Sequence, residues 1–117
     1  MNKKYNISEQ AREYRWQEYL RKEKDKRDKE CLEKMLKSEE GRWIYSRILE
    51  IAGIRAQSFT GNSATFFREG MREVGIQLEL MTLHLLEMEG VELRQKAERE
   101  NIAFQERIRK YFESEEN

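Results

Sequence analysis

The 117-residue chain has no proline, one cysteine and one histidine, and its 23 bases balance its 23 acids. Each shortage excludes something. Without proline, the strongest helix breaker is missing from end to end. A single thiol, Cys31, cannot close an intramolecular disulfide and fits a reducing compartment. Its neighbours Leu32, Met35 and Leu36 predict a buried thiol acting as a small hydrophobe. His84 has neither a cysteine nor a second histidine near it in sequence, so no metal site is expected. A formal net charge of zero gives no global field toward nucleic acid or anionic membrane. No apolar run approaches the ~18 residues of a membrane span. The opening MNKKYNISEQ has no apolar segment of the secretory kind, which predicts synthesis in a cytoplasm.

Charge is what the chain has in excess. Charged residues make up 39% of it, against roughly 25% in ordinary globular domains, and mean hydropathy is −1.01. Part of the chain must therefore be solvated helix around one modest core. The fold class that follows is all-α, a small antiparallel helical hairpin or bundle with long charged N- and C-terminal helices. Three regions divide it: a charged arm over 1–37, a helical core over 38–90, and an amphipathic helix with an acidic tail over 91–117.

The arm reads as one helix from about Ile7 to Lys37. Its start carries Tyr14, Trp16 and Tyr19, aromatic surface of the kind that anchors interfaces and that could equally fold back on its own core. The run RKEKDKRDKE, Arg21 to Glu30, then contains no apolar residue, so it cannot dock on a core. Favourably ordered pairs such as Glu18–Lys22 and Glu30–Lys34 support it as helix. Over residues 1–37 there are 12 bases and 8 acids, but their interleaving is unlike a nucleic-acid arm. Nucleic acid is a possible partner by this reading and not the favoured one.

Ser38 is a natural N-cap for a second helix, with Glu39 and Glu40 in the first turn favoured by the helix dipole. Ile44, Ile48 and Ile51 share a face, and Gly53 marks a left-handed C-terminal stop. The turn Thr60, Gly61, Asn62 and Ser63 then opens a central helix over about 63–89. Phe67, Met71, Val74, Leu78, Met81 and Leu85 form its apolar stripe, in steps of 4, 3, 4, 3 and 4. Gly70 and Gly75 inside it predict close approach of another helix. Glu69 and Arg72 predict an i,i+3 pair or a reach to the preceding helix. Gly90 is expected to break the helix. The last helix, about 91–112, then carries Leu93, Ala97, Phe104 and Ile108 on one face, interrupted by Glu98, Arg99 and Glu100.

No nucleophile motif and no phosphate-binding glycine loop is present. No catalytic, cofactor-binding or metal residues are expected, and the chain does not read as an enzyme.

The stretch GRWIYSRILEIAGIRAQSFTGNSATFFREGMREVGIQLELMTLHLL resembles a small tailed-phage protein family typified by a Bordetella phage gene product, the Bbp-nineteen-like phage domain. The likeness lies in Gly41-Arg42, the helix end at Gly53, Ser58 to Ser63, Phe67, Glu69-Gly70, Arg72 and Gly75-Ile76. Met71 departs from the pattern, standing where a basic residue is expected. The resemblance implies a virion structural or assembly protein, associated with the portal, the head–tail region or the capsid interior. It implies other virion proteins as partners, several copies in an assembly or a homo-oligomer, and a place in the virion after synthesis in the host cytoplasm. A nucleic-acid-binding or host-regulatory small helical protein is the alternative.

Overall fold

The computed structural model describes residues 7–54 and 64–116, and these are all-α. Helix α1 spans Ile7–Lys37, α2 spans Glu39–Ala52 and α3 spans Ala64–Glu116. Among the described residues no helix is long and apolar enough to cross a membrane. The turn at Thr60, Gly61, Asn62 and Ser63 lies outside the described residues.

Local chemistry explains the helix ends. Only Ser38 separates α1 from α2. Its hydroxyl accepts from the Gly41 amide at 2.9 Å and donates to the Met35 carbonyl at 3.1 Å, satisfying a free donor of one helix and a free acceptor of the other. The chain reverses so tightly there that a Cβ on Gly41 would run into the Met35 carbonyl. At the far end of α2, Gly53 adopts φ 71°, ψ 33°, and its amide bonds the Leu49 and Glu50 carbonyls.

Helix α3 is broken at Glu87, whose φ of 54° and ψ of −128° lie outside the helical region. The break folds α3 into a hairpin of two limbs, 64–86 and 88–116. Arg94 on the second limb pairs with Glu79 on the first at 3.2 Å. Gly90, expected to be the breaker, is instead helical and buried. A Cβ there would lie 2.7 Å from the Thr82 carbonyl oxygen, so its lack of a side chain lets the limbs close.

The core is thin. Leu32 and Leu36 of α1, Tyr45 of α2, and Leu86 of α3 are buried together, with Met35, Leu49, Leu78, Met81, Leu85 and Leu93 packed around them. Tyr45 is only 1% exposed, and burial pushes its phenol pKa up. Its hydroxyl lies 3.0 Å from Thr82 Oγ1, which itself donates to the Leu78 carbonyl at 2.8 Å. Threonine has one hydroxyl proton, so Tyr45 is the donor of that pair.

One expected face is displaced and another is met in part. On α2 the buried positions are Arg42 and Tyr45, with Leu49 and Ala52 partly buried, while Ile44, Ile48 and Ile51 are 52%, 39% and 61% exposed. On α3 Leu78, Met81 and Leu85 of the expected stripe pack against the core, the fully buried row is the neighbouring one through Gly75, Thr82 and Leu86, and Phe67 and Val74 stay exposed. On α2 the core takes the row whose side chains complete hydrogen bonds, not the most apolar one. Cys31 is also exposed rather than buried, because Leu32 and Leu36 turn their own row inward and leave it on the neighbouring one.

The molecule is long. Its extents are 82 × 39 × 20 Å and its radius of gyration 20.9 Å, against about 13 Å for a compact domain of this length. Along the first two-thirds of α1 neighbouring ion pairs hold the charged faces, including Arg21 with Glu18 at 3.1 Å and Asp25 at 3.3 Å.

Gly75 and Gly70 separate a packing role from an open position. A Cβ on Gly75 would lie 2.5 Å from Ile54 Cγ2 and 2.8 Å from Ala52 Cβ. Among the described residues, one on Gly70 would meet nothing within 4 Å, so no helix crosses there. In urea denaturation Gly75→Leu is expected to lose about 1–3 kcal/mol through overpacking. Gly70→Ala is expected to gain up to about 1 kcal/mol in helix propensity. An unchanged midpoint for Gly75→Leu would contradict the packing of α2 against α3. At the break, Glu87→Gly relieves a left-handed backbone on a residue with a Cβ and is expected to raise stability by about 1 kcal/mol in the same assay. A lower midpoint would contradict the assigned backbone.

Candidate functional site

Two surfaces of the described structure suit binding, and the first lies beside a side chain that holds the helices in register. Arg42 is 6% exposed. Its Nε and Nη2 donate to the two carboxylate oxygens of Glu100 on the second limb of α3, the latter at 3.1 Å. Its Nη1 donates to the Leu36 carbonyl at 2.9 Å, in the last turn of α1, where carbonyls lack intrahelical partners. One planar guanidinium thus bonds α1 and the second limb of α3 from its own place on α2. The hydrogen bond from Arg42, stronger than the opposing effect of burial, holds the Glu100 carboxyl below the usual carboxylate range.

Beside this pair α2 and the second limb enclose a groove of about 560 Å³. Trp43 and Ile44 form one wall, and Ala97, Ala103 and Phe104 the other. The Trp43 and Phe104 rings meet edge to face, with centroids 4.7 Å apart and planes at 66°. Arg107 stands over the Phe104 ring at 5.4 Å. Glu39 and Glu40, in the first turn of α2, line the same groove and are exposed. A second cavity, about 370 Å³, opens between Leu49, Ile54, Glu79, Arg94 and Asn101, and is more polar because the Glu79–Arg94 pair crosses its wall.

The second surface is the start of α1. Tyr14, Trp16 and Tyr19 are 68%, 51% and 61% exposed. They project from a helix that reaches the core only at Leu32. Trp16 and Tyr19 share a helix face with Arg12 and Arg15, while Tyr14 lies round the helix from them.

The other residues singled out in the sequence are dispersed. Arg72 reaches back to the segment just past the end of α2, its Nε donating to the Ile54 carbonyl at 3.1 Å. Glu69 and Gly70 are exposed on the first limb, and Gly75 is buried against Ile54 and Ala52. Thr60 to Ser63 fall outside the described residues. Among the described residues no group of three or more His, Cys, Asp or Glu stands close enough to hold a metal ion.

Sequence reasoning missed the Arg42–Glu100 pair, although a signal for it exists. Glu100 stands between Ala97 and Phe104, three after one and four before the other, so it occupies the apolar stripe rather than interrupting it. An acid in a stripe asks for a basic partner. Arg42 sits three residues before the buried Tyr45, on the same face of α2.

In comparisons with known proteins, no protein-family model, no curated protein and no solved structure matches the chain. The phage-family resemblance over residues 41–86 therefore rests on its quoted residues alone.

Removing one partner of the pair exposes its energetics. Glu100→Gln is expected to destabilise the fold by about 1–2 kcal/mol at neutral pH, less than for a fully buried pair because water reaches about a third of Glu100. A carboxyl whose folded pKa is depressed contributes its full stability above its unfolded pKa, near 4.5, and loses it as pH falls through the folded value. Acid unfolding below about pH 4.5 should therefore be shallower in Glu100→Gln than in the parent chain. Identical acid limbs in chemical denaturation would show that the pair contributes nothing.

Proposed function

We propose that this chain is a structural or assembly protein of a tailed-phage virion, acting through helix-mediated contacts at the portal, the head–tail region or the capsid interior. The observation that carries the protein-contact part is the placement of Tyr14, Trp16 and Tyr19 in solvent on a helical arm beyond the core. Exposed aromatic anchors at the end of a rigid helix suit docking on another protein, because little side-chain and backbone freedom remains to be lost. The virion part is supported by the residues of the resemblance, Gly41-Arg42, Glu69-Gly70, Arg72 and Gly75-Ile76 among them.

The charge pattern also supports protein over nucleic acid as the partner. Arg21, Lys26, Arg27 and Lys37 each lie within ion-pair distance of a carboxylate one helical turn away. These bases do not form a single-sign strip for a phosphate backbone.

Mass spectrometry of purified, DNA-filled particles tests the proposal. Several copies per particle are expected for the parent chain. Loss from particles is expected when Tyr14, Trp16 and Tyr19 are replaced together by Ala, with helicity and melting unchanged because all three lie outside the core. Abundance in infected-cell lysate with absence from particles would overturn the virion reading. Salt-sensitive retention on DNA would favour the nucleic-acid reading instead.

A further inference from the structure

The groove between α2 and the second limb of α3 and the aromatic face of α1 have complementary chemistry. The groove is apolar where the Trp43 and Ile44 wall faces Phe104; Glu39 and Glu40 put two carboxylates along the rim formed by the first turn of α2, and Arg107 stands over the Phe104 ring on the opposite wall. The arm presents Trp16 and Tyr19 on one helix face with Arg12 and Arg15 beside them. An aromatic helix face bordered by guanidinium groups fits an apolar groove with an acidic rim on its α2 side, the arrangement of helix-in-groove recognition.

The arm cannot reach the groove of its own chain. α1 is a single helix from Ile7 to Lys37 and enters the core at Leu32 and Leu36. Trp16 stands 16 residues before Leu32, about 24 Å of helix at 1.5 Å per residue. The run from Arg21 to Glu30 that separates them carries no apolar residue that could dock. A second copy supplies the missing groove.

We propose that the Arg12–Trp16–Tyr19 face of α1 in one copy seats in the Trp43–Ile44–Phe104 groove of a second copy, giving head-to-tail self-association. The contact is heterologous: each copy offers an arm to one neighbour and a groove to the other. Such contacts close into a ring or continue as a chain. This rests on the reading that the arm makes protein contacts, and is independent of the virion part of that reading.

Two variants and their mixture test it by sedimentation or light scattering over a concentration series. Trp16→Ala with Tyr19→Ala disables the arm and leaves the groove intact. Ile44→Lys disables the groove by placing a base against Arg12 and Arg15, at a position 52% exposed and outside the core. Circular dichroism checks that both stay folded. The parent chain is expected to grow in mass with concentration, and association to weaken as salt screens the charges. Each variant alone is expected to associate at least about tenfold more weakly, a loss of about 1.4 kcal/mol. An equimolar mixture should recover a complex of two chains and no larger, because one good arm meets one good groove. A mixture that stays monomeric, or an Ile44→Lys chain that assembles like the parent, overturns the proposal. A monomeric parent chain overturns it too. If that monomer also depends on its aromatic arm for incorporation into particles, the arm docks on a different protein and the proposed function stands.

Discussion

The Arg42 guanidinium fixes how the three helices meet. Three elements that share one thin apolar core meet at its donors: the last turn of α1 through the Leu36 carbonyl, the second limb of α3 through Glu100, and α2 through its own backbone. A lysine could not replace it, since one ammonium lacks the planar fork that bonds both carboxylate oxygens while another nitrogen reaches a carbonyl at an angle. The position of Arg42 is set in turn by Ser38 and Gly41. The Ser38 cap starts α2 one residue after α1 ends, and Gly41 lets the two backbones come close enough for an arginine at the next position to reach Leu36. Local turn chemistry thus places a long-range bond.

That role follows from the small core. The molecule exposes 9808 Å² at 14.3 kDa, where a compact monomer of this mass exposes about 6,800 Å². With so little apolar burial, specificity falls to directional contacts and to close backbone approach. Tyr45 bonding Thr82, Arg72 bonding the Ile54 carbonyl, and Gly75 and Gly90 each admitting a neighbour all serve this end. Each fixes a register that a handful of leucines would leave free to slide.

What was legible in the sequence follows the range of the interaction. The ends of α1 and α2 were readable because Ser38 and Gly53 act on backbone groups within four residues. The helical class was readable because proline is absent and apolar periodicity is strong. The inward row of α2 was not, because it is chosen by partners 37 and 58 positions away, Thr82 for Tyr45 and Glu100 for Arg42. Three isoleucines on one row of α2 outweigh an arginine and a tyrosine by hydropathy, yet the latter row is buried. Gly90 shows the same limit. A glycine in a helix signals either a stop or a close neighbour, and only the fold of α3 on itself decides between them. Of the candidate surfaces, the aromatic arm was legible from residue type and the polar run behind it, whereas the groove needs Trp43 and Phe104 brought together from residues far apart in sequence.

The polar run from Arg21 to Glu30 explains why the arm stays exposed. An amphipathic helix of this length would lie down on the core and bury Trp16 and Tyr19 there. A run with no apolar residue removes that option, because docking it would desolvate charges without burying any hydrophobic surface in return. The ion pairs along the run keep it helical, although each is weak and screened by salt. The run therefore acts as a stiff spacer that prevents self-burial and holds an aromatic face at a fixed distance from the folded end. A flexible linker would also keep the aromatics in solvent, but it would lose more conformational freedom on binding. The excess of charge that makes the chain a poor globular domain is what leaves a preorganised aromatic helix face in solvent.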